Sequence, residues 1–154
     1  KLIGSFALVV VIGSSAACGD ESNNTNNSGN DAISKAEFVT SANALCAAFA
    51  GEFEGGAQAD VVTEEDQIAV ISEIIVPELR ITLTAIRALG FPEGDAALVG
   101  GLIDQTNEQL DIVEADPAGF LAAAEDPFAE INAQLGDYGV VTCGWVWDVV
   151  RDRA

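Results

Sequence analysis

The chain has 154 residues, 25 of them acidic and six basic, for a formal net charge of −19. Such a surface repels nucleic-acid phosphates, so no nucleic-acid partner is expected. Histidine is absent, which removes the usual general base near neutral pH, the commonest metal ligand and every Ser-His or Cys-His dyad, so neither a metal nor a cofactor is expected.

Lys1 is followed by the apolar run Leu2 to Ile12, then by Gly13-Ser14-Ser15-Ala16-Ala17 and Cys18. A charged start, a short apolar stretch and small residues before a cysteine are the layout of a lipoprotein-type signal peptide over residues 1–17. The run falls short of the roughly 20 residues that a permanent membrane span needs. Ser15 stands where such signals usually carry Leu, and plain signal cleavage near Ala17 is the alternative. The expectation is that lipidated Cys18 tethers the protein to the outer face of the cytoplasmic membrane. Residues 18–32 are rich in Asn, Ser, Gly and Asp, with nothing to bury, and read as a disordered polar tether. Residues 33–154 form one helical domain in this reading.

Ser34 and Glu37 have the spacing of a capping box. Phe38, Ala42, Leu45, Phe49 and Phe53 then recur at helical spacing up to Gly55-Gly56. Thr63-Glu64-Glu65-Asp66 opens a second helix, with its acidic groups where the helix dipole favours them. Ile68, Ile71, Ile75, Leu79, Leu83 and Ile86 mark its buried face. Pro77 interrupts that run and is expected to bend or split the helix. Gly90 and Pro92 end it. Asp95 is a candidate N-cap for a third helix carrying Leu98, Leu102, Leu110 and Val113. Asp116-Pro117 and Asp126-Pro127 each read as an N-cap followed by proline at the first helical position. The second of these short helices carries Phe128, Ile131, Leu135 and Tyr138.

The tail from Val140 to Val150 is compatible with a short strand or a short helix. It contains Cys143, which makes an even pair with Cys46. In an exported chain that pair is expected to be bonded. Trp145 and Trp147 are candidate binding residues if exposed. The alternative is that they cover the open end of the helices.

The residues Ser34-Lys35-Ala36-Glu37-Phe38, Ala42-Asn43-Ala44-Leu45-Cys46, Arg87 to Asp95, Asp126-Pro127-Phe128 and Asp137-Tyr138-Gly139 before Cys143-Gly144 occur in that order. Over roughly residues 33–144 the chain resembles small exported helical domains found mainly in high-GC Gram-positive bacteria, a class without assigned function. The resemblance implies a helical bundle whose first helix is tied to its C-terminal segment by a disulfide. It implies no catalytic residue. The fold expected is all-α, an antiparallel bundle of four or five helices with a short irregular or strand-like tail.

Candidate chemistry is sparse. Lys35 is the one lysine after Lys1, and a Ser-Lys dyad would need it buried with its pKa lowered. Glu73 and Glu78 are carboxylates of the kind a hydrolase would use. Asp60, Glu64, Glu65 and Asp66 form the densest acidic cluster, without an EF-hand pattern. The function these observations favour is non-catalytic, a membrane-anchored extracytoplasmic domain for binding or envelope maintenance. Its partner would be a protein or a small apolar ligand. The alternatives are a structural or interaction module using the Trp tail and, last, a carboxylate-dependent hydrolase.

Overall fold

Helix α1 (Lys35–Gly56) begins at the capping box. The Glu37 carboxylate accepts from the Ser34 backbone N–H at 3.1 Å and from its hydroxyl at 2.6 Å. The Ser34 hydroxyl in turn accepts from the Glu37 N–H at 3.3 Å. These bonds from Ser34, side chain first, hold the Glu37 carboxyl below its ordinary pKa. The computed structural model describes residues 32–56 and 63–144, without the side chains of 52–56. Residues 1–31, read above as signal and tether and including Cys18, together with Asp60 and the segment 145–154 with Trp145 and Trp147, lie outside the described residues.

Thr63 and Asp66 form a second capping box at the start of α2 (Glu64–Val70). The chain then runs through a π-helical turn (Ile71–Ile75) directly into α3 (Val76–Ala88). In that turn the Val76 N–H reaches the Ile71 carbonyl, five residues back. Pro77 follows at once. Proline lacks an N–H, and its ring strikes the carbonyl four residues earlier in a regular α-turn. A wider turn just ahead of it gives the ring room. The helical run is thus divided into two α-helical pieces just before Pro77, joined by a turn of changed hydrogen-bond register.

Gly90, at φ +76°, turns the chain after α3. Helix α4 (Ala96–Ala115) follows, then α5 (Pro117–Ala122), whose N-cap Asp116 accepts from the Gly119 N–H at 2.8 Å. Two expectations need correction. Leu98 is half exposed, at 50%, and its neighbour Val99 is buried at 2%. Gly100 is buried against the Phe91 ring, so the apolar stripe of α4 enters the core one residue later. Asp126-Pro127 does not start a helix. The Asp126 carboxylate accepts from the Phe128 N–H at 2.9 Å, making a local turn, and α6 (Ala129–Tyr138) begins two residues later.

The fold is mostly helical, with no strand among the described residues. Helix α1 packs on α3, α3 on α4, and α4 on α5 and α6, while α2 packs on α5. Arg80 pairs with Asp111 and Glu114, late in α4, at 2.6 and 2.9 Å. Arg87, about two turns further along α3, pairs with Asp104, earlier in α4. That order means α3 and α4 run antiparallel. The pairs are solvent-exposed, so each adds little stability. The stability comes from the shared apolar core that these helices enclose, from Phe38 in α1 to Ile131 in α6.

Candidate functional site

Helix α6 ends at Gly139, which adopts φ +111°. The Val140 N–H bonds to the Leu135 carbonyl at 2.8 Å and the Gly139 N–H to the Gly136 carbonyl at 2.9 Å. This is a Schellman ending, which needs a residue without a Cβ penalty at positive φ. A side chain here would also meet Val39 of α1 at 3.3 Å. The close approach lays the segment after α6 against α1.

Asn43 clamps that segment. Its amide N–H donates to the Gly139 carbonyl at 2.9 Å. Its carbonyl accepts from the Val141 N–H, the Thr142 N–H and the Thr142 hydroxyl at 2.9, 3.0 and 2.9 Å. One helical turn further along α1, Cys46 is bonded to Cys143, with Cα atoms 5.1 Å apart. The disulfide expected from the even pair is present. Asn43 was missed, because nothing local marks an asparagine whose partners lie about a hundred residues away.

Beside this clamp, α1, α3, α4 and α6 enclose an apolar cavity of about 40 Å³. Phe38, Leu79, Leu102 and Phe128 supply much of its wall, and Cys46 and Cys143 reach it. No charged side chain lines it. Three of its polar wall groups are already engaged. Thr106 donates to the Leu102 carbonyl at 2.8 Å, Asn132 to the Gly144 carbonyl at 3.4 Å, and Tyr138 to Asp95 at 2.7 Å. Thr82 differs. Thr40, Thr84 and Thr106 each donate back to the carbonyl four residues earlier, and Thr82 makes no such bond among the described residues. A buried water needs two to four polar partners, so a cavity of this kind favours an apolar guest over water.

Tyr138 ties three helices together at the cavity edge. Lys35 places its Nζ 4.1 Å from the centre of the Tyr138 ring. The phenol donates to Asp95, which therefore does not cap α4 with its side chain. Burial first, then the hydrogen bond and charge of Asp95, push the phenol up to about 12 from 10.0. Because the folded-state value is the higher one, this contribution to stability is complete below pH 10 and is lost as pH rises through about 12. A tyrosinate absorbance titration of the folded protein is expected to midpoint near 12. A midpoint at 10 would mean that neither the burial of the ring nor its bond to Asp95 holds in solution.

The remaining candidates take structural positions. Ser34 bonds Glu37 while Lys35 covers Tyr138, so the two form no dyad. Glu73 is exposed and Glu78 half-buried, and neither reaches the cavity. Asp66 belongs to the Thr63 capping box, and Glu64 and Glu65 are exposed. Among the described residues no group of three or more Cys, Asp or Glu is placed to hold a metal ion, and no helix is long and apolar enough to cross a membrane. No family model, curated protein or solved structure matches the chain.

Proposed function

We propose that the protein is a non-catalytic extracytoplasmic binding domain, held to the outer face of the cytoplasmic membrane by lipid on Cys18 and serving envelope maintenance. In this reading the helices form an antiparallel bundle of four or five members, closed by the Cys46–Cys143 clamp. The observation that carries the proposal is the uncharged cavity in the middle of the helices. Binding sites for small molecules are concave and mostly apolar, with a few placed polar groups. Here Thr82 is the polar group left without a helical back-bond. The engagement of Ser34, Lys35, Asp66 and Asp95 in caps and latches favours binding over catalysis.

Mass spectrometry of protein extracted from its native membrane tests both parts of the proposal. The expected result is a diacylglyceryl group on Cys18, together with a neutral apolar compound that is lost on denaturation. Two acyl chains are enough for stable anchoring where one is marginal. An unmodified Cys18 would remove the anchor, and extracts that never carry such a compound would remove the binding role.

A further inference from the structure

The cavity sets narrow terms for its guest. About 40 Å³ is well under the roughly 150 Å³ that holds a benzene molecule in an engineered apolar cavity. An aromatic ring or a sterol therefore does not fit as the walls stand. A charged or zwitterionic group finds no counter-charge on the walls, and burying it unpaired is costly. The most fully buried lining residues are Phe38, Ala42, Val99, Leu102 and Phe128. Thr106 of α4, Asn132 and Leu135 of α6, and Cys143 are half-buried, so the lining is less covered at these residues. A guest can thus place one slim end inside while the rest of it lies outside. Thr82, in the middle of α3, offers the hydroxyl that its own helix does not use.

From these features we infer that the cavity receives the end of a neutral, unbranched aliphatic chain carrying one oxygen that Thr82 bonds. The inference rests on the reading of the cavity as a binding site and names its ligand class. A free straight-chain alcohol has this chemistry, whereas the acyl chain of an ester-linked lipid ends in a methyl group and offers no oxygen there.

The test uses the full oxidised chain with two kinds of probe. Xenon reads whether the cavity admits an apolar atom. Straight-chain primary alcohols from butanol to octanol read whether it admits a chain end. Methyl resonances of Leu79, Leu102 and Ile103 are expected to shift saturably with both. Ala42→Val, which places two further carbons in the space, is expected to abolish both responses. Thr82→Val keeps the shape and removes the hydroxyl. It is expected to weaken the alcohols about fivefold, as for one net hydrogen bond, and to leave xenon unchanged. Vesicles of neutral diacyl lipid, whose chain ends carry no oxygen, are expected to leave the wall resonances unshifted, and an equal saturable shift with them overturns the requirement for the oxygen. No saturable shift with either probe overturns both the inference and the cavity reading. Entry of xenon without alcohols overturns the chain-end inference alone. Equal alcohol affinity in Thr82→Val overturns the role of the hydroxyl.

Discussion

Removing the Cys46–Cys143 bond is expected to lower stability by about 4–5 kcal/mol, the size the chain-entropy model assigns to a loop near 100 residues. The bonded cysteines are 97 positions apart, so the cross-link restricts most of the folded segment once it unfolds. Little of the loss should come from the native side. Asn43 holds residues 139–142 to α1 through four hydrogen bonds whether or not the sulfurs are joined. Alanine is the right replacement at Cys46, because the site is buried and a serine hydroxyl would have to find a partner there. Urea unfolding of the oxidised protein and of Cys46→Ala/Cys143→Ala, followed by circular dichroism, gives the difference. A loss below about 1 kcal/mol would mean that the unfolded chain is already compact and that loop closure is not what the bond supplies. Adding Asn43→Ala to the cysteine-free protein should free the C-terminal segment from α1. Its amide protons at Val141 and Thr142 should then exchange at rates close to those of an open chain.

What could be read in advance from the residues follows from how local the physics is. The Ser34/Glu37 box is legible because both partners lie within one turn, and the structure forms it as spaced. Cys46 and Cys143 were legible by counting, on the expectation of export, though their separation is large. Pro77 announced a disturbance, but its form depended on how neighbouring turns could adapt, and the answer was a π-turn. Asp126-Pro127 imitates a helix start. Tertiary burial of Phe128 prevailed there, drawing Asp126 into a turn that sets the ring into the core. Asp95 occupies the N-cap position as expected, yet its carboxylate serves Tyr138, 43 residues away. The clamp by Asn43 and the cavity with Thr82 had no local signal at all. Both exist only once α1, α3, α4 and α6 are assembled. The candidate site was therefore the least legible part of the molecule.

Phe38→Ala is expected to cost about 3–5 kcal/mol, the usual range for deleting a buried phenyl group. Phe38 is 1% exposed and meets the Phe91 and Tyr138 rings edge-on, each with centroids 6.2 Å apart. Edge-to-face pairs of this kind add stabilisation beyond the area they bury. The residue also forms part of the cavity wall, so its truncation joins the lost volume to the existing space of about 40 Å³. A void of that combined size, still lined by Leu, Ile and Phe side chains, should admit benzene. Binding to the folded state alone returns stability by mass action, about 2.7 kcal/mol at a hundred times the dissociation constant. Thermal melts of Phe38→Ala with and without benzene are therefore expected to differ by several degrees, while the wild-type melt does not move. A loss under 1 kcal/mol would show that Phe38 is not the hub of this packing. A full loss without rescue by benzene would show that α1 and α6 close over the gap. The cavity would then be held open by the Phe38 ring, and small guests would have to enter beside that ring.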